Sequence, residues 1–514
     1  MYLSRTSIKK NLVKTFAKIE KVFSIPQTFA NFVKFRIKRF SKFVKKRLKT
    51  FANFGKVLYN ATMEFKRKFY EELLEWKKTY AGKNAMLIEG ARRIGKSTIA
   101  EAFAKNEYKD YILLDFAKES SDVKNLFVEN LSDMDVFFNN LFVLKQKELV
   151  PRQSVIILDE IQLFPQARQA IKYLVQDGRF DYIETGSLIT IKKKSAQILI
   201  PSEEHRRKMY PMDFEEFLWA LGDTVTAKAI KERFESRKPF GDALHRKIMQ
   251  IFRTYLAVGG MPQAVAAFVE KQTYTKIDAV KRSILTLYEE DLEKYDDENT
   301  EKTSAIFSTL AEQLSNHNSL FKFSMVDKNA RYKNYVRSIK FLGDSMIANC
   351  CKNVTNPELS LELFADSSNF KMFMGDTGLL VTQIMKNSKE TDGEIYRKLI
   401  FNKLGTNLGM ILENMVAQML RARGYDLYFH EFLYKKKKNG AEQKYEVDFL
   451  IVKEKKVIPL EVKSSSYKQH ESIDCFMKKY KLRKRERFVI YTKDLLFDKD
   501  AGVTYIPIYM TMCL

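Results

Sequence analysis

Residues 84–99 read NAMLIEGARRIGKSTI, and this stretch decides the fold. Asn84–Glu89 is an apolar run of strand length, Gly90–Ser97 spells G-x-x-x-x-G-K-S, and TIAEAFAKN continues from Thr98 with helical period. Strand, glycine loop and helix N-terminus in that order make a phosphate cradle. Gly90 and Gly95 let backbone N–H groups turn toward a triphosphate, and the helix N-terminus adds its dipole. Lys96 is placed to reach the β- and γ-phosphates and Ser97 to ligate Mg²⁺. Arg93 and Thr98 complete the candidate nucleotide-binding set.

The cradle has a partner downstream. Ser154–Leu158 (SVIIL) is a second apolar strand and ends in Asp159-Glu160. Alone, that pair reads as a helix N-cap. About sixty residues after G-K-S it reads as chemistry, with Asp159 on the Mg²⁺ side and Glu160 as the general base for an attacking water. Tyr111–Phe116 and Asp181–Thr185 supply two further strands. A polar residue at the tip of the latter, Ser187 or alternatively Thr185, is expected beside the γ-phosphate. All these positions fall at carboxyl ends of strands, where open α/β sheets bind ligands. The expectation is an α/β fold with a doubly wound parallel sheet that binds and hydrolyses ATP.

Composition bounds the rest. The chain has 514 residues, 45% apolar and 13% aromatic, enough for about three domains with real cores. No apolar run reaches the ~18–20 residues of a membrane span. Four cysteines and five histidines show no disulfide or ligand spacing, which suggests reduced thiols and a cytoplasmic location and leaves any metal to carboxylates. Net charge is +25, of which residues 1–62 carry 16 Lys and Arg against Glu20. That segment has three readings: a basic amphipathic helix for a membrane or phosphate surface, a transit peptide, or a stretch outside the mature protein, with Met63 as the true start.

A second constellation lies near the C-terminus. Tyr445–Val452 (YEVDFLIV) alternates as a strand, Lys453–Lys456 is a charged turn and Val457–Lys463 (VIPLEVK) returns. An even-length turn centred between residues 454 and 455 sets Asp448 opposite Glu461, with Lys463 on the same face. Opposed like charges are destabilising unless a cation lies between them. Two carboxylates plus a phosphate oxygen suit Mg²⁺, and Lys463 is positioned to orient water or stabilise a phosphate. A solvated polar strand face is the plain alternative.

Taken together, GARRIGKS, ILDEIQ, ETGS, MYPMDFEEFLWALG (Met209–Gly222), YLAVGGMPQAV (Tyr255–Val265), MGDTGLL (Met374–Leu380), LENMVAQ (Leu412–Gln418) and EVDFLI…PLEVKSS (Glu446–Ser465) resemble prokaryotic AAA-type ATPases with a C-terminal domain of unknown function. The resemblance implies an AAA-like P-loop domain (63–225), a helical or winged-helix middle (226–350) and a C-terminal α/β domain similar to restriction endonucleases (351–514). It implies an acidic ligand on the preceding helix, a place Glu413 matches, beside the D…E-x-K set Asp448, Glu461 and Lys463. Relatives carry Gly-Arg before the YPMDF block; here Glu204-His205-Arg206-Arg207 stands there. Arg206 or Arg207 is therefore a candidate arginine finger, with a solvated basic turn as the equal alternative.

In the middle stretch, Leu244–Glu293 reads helical with a break at Gly259–Pro262, Asp296–Glu301 reads as a linker, and Thr303–Leu314 and Asn329–Leu342 read as amphipathic helices. The last carries Arg331, Lys333, Arg337 and Lys340 among aromatics. That composition fits either a DNA recognition helix or a packing helix with a basic outer face. Two functions compete: an ATP-driven switch controlling DNA binding or Mg²⁺-dependent cleavage, and a regulatory scaffold with an inactive nuclease-like domain. A homo-oligomer is an open possibility for either.

Overall fold

The structure is a computed structural model. It describes residues 64–187, 199–295, 299–315, 320–358, 360–385, 396, 398–399, 408–435, 441–464, 470–482, 486–500 and 502–514. The readings of residues 1–62, and the core of the expected 296–301 linker, lie outside the described residues.

Helix α1 (Phe69–Thr79) buries Phe69, Leu73 and Trp76, one stripe at steps of four and three. Strands β1 (Ala85–Gly90) and β3 (Ser154–Asp159) are buried along their whole length, as expected of parallel strands covered on both faces. With β2 (Asp110–Asp115), β4 (Asp181–Ser187) and β5 (Glu204–Lys208) they form a five-stranded sheet in the order β2-β3-β4-β1-β5, every neighbouring pair parallel. Helices α2 (Lys96–Glu107), α3 (Ser121–Glu129), α4 (Met134–Lys145) and α5 (Pro165–Asp177) connect the strands. The doubly wound parallel sheet is as expected, and β4 lies between β1, which leads into the Lys96 loop, and β3, which ends in Asp159.

Strand β5 was not expected. Its residues, EHRRK, include Glu204–Arg207, the stretch read as an arginine finger or a basic turn, and they pair in parallel with β1 from Ala85↔Glu204 to Glu89↔Lys208. An ion pair pins this polar edge. Arg168 of α5 meets Glu204 through Nε–Oε1 at 2.7 Å and Nη2–Oε2 at 2.8 Å, and Arg206 adds a third contact at 2.8 Å. Beside them Glu184 of β4 is fully enclosed, with neither carboxylate oxygen hydrogen-bonded. Burial, then Glu204, push its pKa well up, against Arg168 and Arg206.

The sign for stability follows. The folded chain keeps a proton that the unfolded chain releases above about pH 4.3. Stability from this group is therefore full below that pH and is lost as pH rises through the folded-state value. Glu184→Gln is expected to flatten this descent, so its unfolding midpoint in urea should gain on the wild type as pH rises from 5 to 9. Parallel curves would contradict the assignment.

The helical middle comprises α6 (Phe214–Ala220), α7 (Thr224–Ser236), α8 (Asp242–Val258), α9 (Pro262–Val269), α10 (Tyr274–Tyr295), α11 (Thr300–Ser315) and α12 (Tyr332–Asp344). The break at Gly259–Pro262 is present, and a second separates α9 from α10. Helix α12 buries Tyr335, Ser338, Ile339 and Leu342 and turns Lys333, Arg337 and Lys340 outward, and Arg331, just before it, is exposed too. The winged-helix expectation does not hold in this form. The strand pair after α12, β6 (Ala348–Val354) and β7 (Ala365–Met374), joins the C-terminal sheet instead of standing as a separate wing.

That sheet has eight strands in the order β12-β13-β11-β10-β9-β8-β6-β7, mixed in direction. It adds β8 (Leu427–Tyr434), β9 (Gln443–Lys453), β10 (Lys456–Val462), β11 (Phe488–Tyr491), β12 (Leu496–Asp498) and β13 (Val503–Pro507), with helices α13 (Thr377–Met385), α14 (Leu408–Ala422) and α15 (Glu471–Lys479). One apolar core runs from Phe69 through the middle helices to Leu514, so the three expected segments share buried side chains. Among the described residues no helix is long and apolar enough to cross a membrane.

Candidate nucleotide and carboxylate sites

Strand β1 delivers the chain to Gly90, where a Cβ would overlap the Ile94 side chain and the Met209 carbonyl. Gly95 turns at φ +93°, a left-handed conformation suited to glycine, directly into α2. Lys96, the first residue of α2, is buried, and its Nζ donates to the carbonyls of Gly90 at 3.1 Å and Ala91 at 2.9 Å. Burial pulls this ammonium down to about 8, while Glu160 and Asp159 pull upward. Arg93 is exposed in a left-handed conformation, and Thr98 is half-buried in the first turn of α2.

Ser97 Oγ donates to Asp159 Oδ1 at 2.6 Å, joining the two motifs across β4. Thr185 Oγ1, from β4 itself, also hydrogen-bonds Asp159 and accepts from Glu160 N at 3.4 Å. Thr185, the alternative to Ser187 in the sequence, thus stands at the Asp159 carboxylate. Ser187 ends β4 with its backbone in register with Gly90. Glu160 sits at φ +53°, and Gln162 Nε2 donates to its carboxylate. A left-handed glutamate costs about 1–3 kcal/mol, a kind of strain that gathers at functional sites. Arg206 is held by Glu204 and Arg207 lies 3.7 Å from Glu72, both on the edge strand.

Several contacts to the loop were not visible in the sequence. Buried Arg67, before α1, donates to Ile94 O at 2.8 Å and Tyr210 O at 2.7 Å, and its Nε lies 3.1 Å from Glu216. From α10, Asp291 pairs with Arg92 at 2.7 Å and Tyr288 donates to the Arg92 carbonyl at 3.0 Å. Only long-range folding brings these groups to the loop.

The motif blocks meet at one joint. Met212 N donates to Gly260 O at 2.7 Å, and Gly260 N donates to Asp376 Oδ2 at 2.6 Å. Asp376 also accepts from Leu379 N at 3.0 Å and from Gln418 Nε2 at 3.4 Å. Lys281 of α10, fully buried, donates to Ala257 O at 2.7 Å and Gly378 O at 3.1 Å. Burial pulls this ammonium down to about 7, with Asp278 and Asp376 opposing. On α14, Asn414 accepts from Met374 N and Gln418 from Thr377 N, both at 2.7 Å. Glu413 is the neighbour of Asn414 in the chain. A buried polar path thus runs from the YPMDF block through GGMP and MGDTG to the helix bearing Glu413.

The hairpin has the expected register. Lys456↔Lys453 through Leu460↔Phe449 are paired, and the turn residues Glu454 and Lys455 lie at φ +50° and +59°. Two left-handed central residues define a type I′ turn, here without glycine. Asp448 Oδ2 accepts from Val462 N at 2.7 Å, and Lys463 Nζ lies 2.5 Å from Glu461 Oε1. Glu461 is 3% exposed and its Oε2 has no hydrogen-bond partner. Burial, then the Asp448 charge, push Glu461 up to about 7; burial raises Glu413 to about 7 and also raises Asp448. The sequence did not disclose Lys371 of β7, which is 2% exposed and pairs with Glu446 Oε1 at 2.6 Å. Among the described residues, no group of three or more His, Cys, Asp and Glu side chains is gathered as metal ligands.

Three family models match separate parts of the chain. Residues 249–390 match the family model of a domain of unknown function, DUF8612, and residues 408–511 that of another, DUF4143. No curated protein matches the chain. Among solved structures, a point variant of RuvB from Thermotoga maritima is 12% identical with a TM-score of 0.26, covering 55% of this chain and 89% of its own. Protein VC1899 from Vibrio cholerae is 11% identical with a TM-score of 0.16, covering 78% and 94%. Residues 82–218 match the model of an AAA domain, which, over the Lys96–Ser97–Asp159 geometry, supports an AAA-type P-loop ATPase in this part of the chain.

Proposed function

We propose that the protein is an ATP-hydrolysing switch whose nucleotide state governs DNA binding or phosphodiester cleavage at the C-terminal carboxylates. The observation that carries the ATPase reading is the 2.6 Å contact between Ser97 and Asp159. A hydroxyl and a carboxylate face each other beside a buried lysine whose acceptors are loop carbonyls, a set that fits a Mg²⁺-nucleotide. Bound Mg²⁺ would neutralise phosphate charge. Ser97 and Asp159 would hold it, Lys96 would exchange its carbonyl acceptors for phosphate oxygens, and Glu160 would orient and deprotonate water with Thr185 fixing its backbone. Arg206 and Arg207 already have partners in their own chain, so a finger role belongs with a homo-oligomer.

For the C-terminal site, the unpartnered Glu461 oxygen fits a divalent cation shared with Asp448, with Glu413 nearby and Lys463 toward the phosphate. The nuclease-like reading of this fold rests on that set. A second reading is a regulatory scaffold with an inactive nuclease-like module. It is favoured by the Lys463–Glu461 pair, which already neutralises one carboxylate.

A cleavage assay separates the two. The full chain is incubated with supercoiled, linear and single-stranded DNA and with RNA, in Mg²⁺ or Mn²⁺, with and without ATP, beside Lys463→Ala. Cleavage lost in the variant supports the nuclease. Intact ATP turnover with no cleavage of any substrate supports the scaffold.

A further inference from the structure

The carboxylate cluster contains more charge than the D…E-x-K set accounts for. Glu446 and Asp448 stand two apart on β9 and so share a face. Glu461 follows on β10 and Glu413 lies on α14. Among the described residues, Lys463 pairs with Glu461 and Lys371 with Glu446.

The two lysines sit differently. Lys463 is partly exposed and holds Glu461. Lys371 is enclosed at 2% exposure, 2.6 Å from Glu446 Oε1 and over the Phe429 ring at 5.0 Å. Its electrostatic partners include Glu413 and Asp448 as well as Glu446. The buried carboxylate oxygen left without a partner, Glu461 Oε2, belongs to β10 at the other end of the set.

We infer that Lys371 is a built-in cation of this site, occupying its inner end beside Glu446 so that the cluster takes a single divalent cation, at Asp448 and Glu461. Lys371 is thus a positioning residue, and it sets metal stoichiometry and affinity by charge. It also lies on the strand that leads into Gly375-Asp376, the joint with the ATPase part. The inference rests on the proposed metal-dependent reading of the C-terminal site.

The test is Mn²⁺ binding by the full chain without nucleotide, read by calorimetry and by electron paramagnetic resonance of free Mn²⁺. Every protein carries Lys96→Ala to weaken metal binding at the P-loop. The parent is expected to bind one Mn²⁺ per chain, lost in Asp448→Asn. Lys371→Met is expected to bind Mn²⁺ about tenfold more tightly or to take a second ion. Lys371→Met/Glu446→Gln restores the charge balance and is expected to return to the parent's affinity and single ion, a reversal that a purely packing role would not produce. Should Lys371→Met fail to fold, Glu446→Gln alone serves, because it removes the carboxylate paired with Lys371 and should weaken Mn²⁺ about tenfold. A parent that binds one Mn²⁺ with affinity unmoved by these changes overturns the role of Lys371 and leaves the metal reading standing. A parent that binds none overturns both.

Discussion

Lys96→Ala is expected to lower ATP turnover by roughly 100- to 1000-fold or more, the scale of removing a preorganised charge from a water-excluded site. The ammonium is buried and held by the carbonyls of Gly90 and Ala91. Phosphate oxygens are stronger acceptors, so binding nucleotide relieves a lysine that burial has pulled down to about 8. Alanine removes that gain and leaves the loop carbonyls unpaired. Glu160→Gln should behave differently: the amide keeps the size of the side chain but cannot take a proton, so ATP stays bound and is not hydrolysed. Equilibrium binding of a fluorescent nucleotide and release of inorganic phosphate, measured on both variants, separate these effects. Normal phosphate release by both would remove the ATPase assignment.

The second large effect is expected at the joint. In Gly378→Ala the new Cβ would lie 2.5 Å from Gly259 Cα and 2.5 Å from Val258 O. Both neighbours are backbone, so neither can rotate away, and the two segments must separate. Overpacking of this kind costs about 1–3 kcal/mol and sometimes more. Separation would also weaken the Gly260 N–Asp376 hydrogen bond. Urea unfolding followed by the fluorescence of Trp76 and Trp219 should show a clearly lowered midpoint. Under conditions where the variant is still folded, ATP turnover should persist while any effect of ATP on the C-terminal site is lost. An unchanged midpoint would mean that the two segments do not pack backbone to backbone.

The parts legible in the sequence are those governed by local rules. The phosphate loop needs glycines, a lysine and a serine at fixed spacing, and the helix after it needs only its own period. The hairpin is local too: turn parity and alternation place Asp448 against Glu461, and the observed register has that parity. Strand β5 escaped notice because its polar residues carry no strand pattern and its buried Glu204 side chain is paired by Arg168, 36 positions earlier. The strand pair after α12 could have been a wing; its parallel partner β8 decided otherwise.

By itself, then, the sequence determined the phosphate cradle, the strand–helix alternation around it and the facing carboxylates, since each is specified within a few residues by spacing, period or turn length. Only the tertiary structure decided that Thr185 stands at Asp159, that Arg67, Asp291 and Tyr288 clamp the loop, that Asp376 joins GGMP to α14, and that Lys371 enters the carboxylate cluster. These depend on burial, which makes pairing of charges and hydrogen bonds obligatory among residues far apart in the chain, and no local period or spacing encodes such partners.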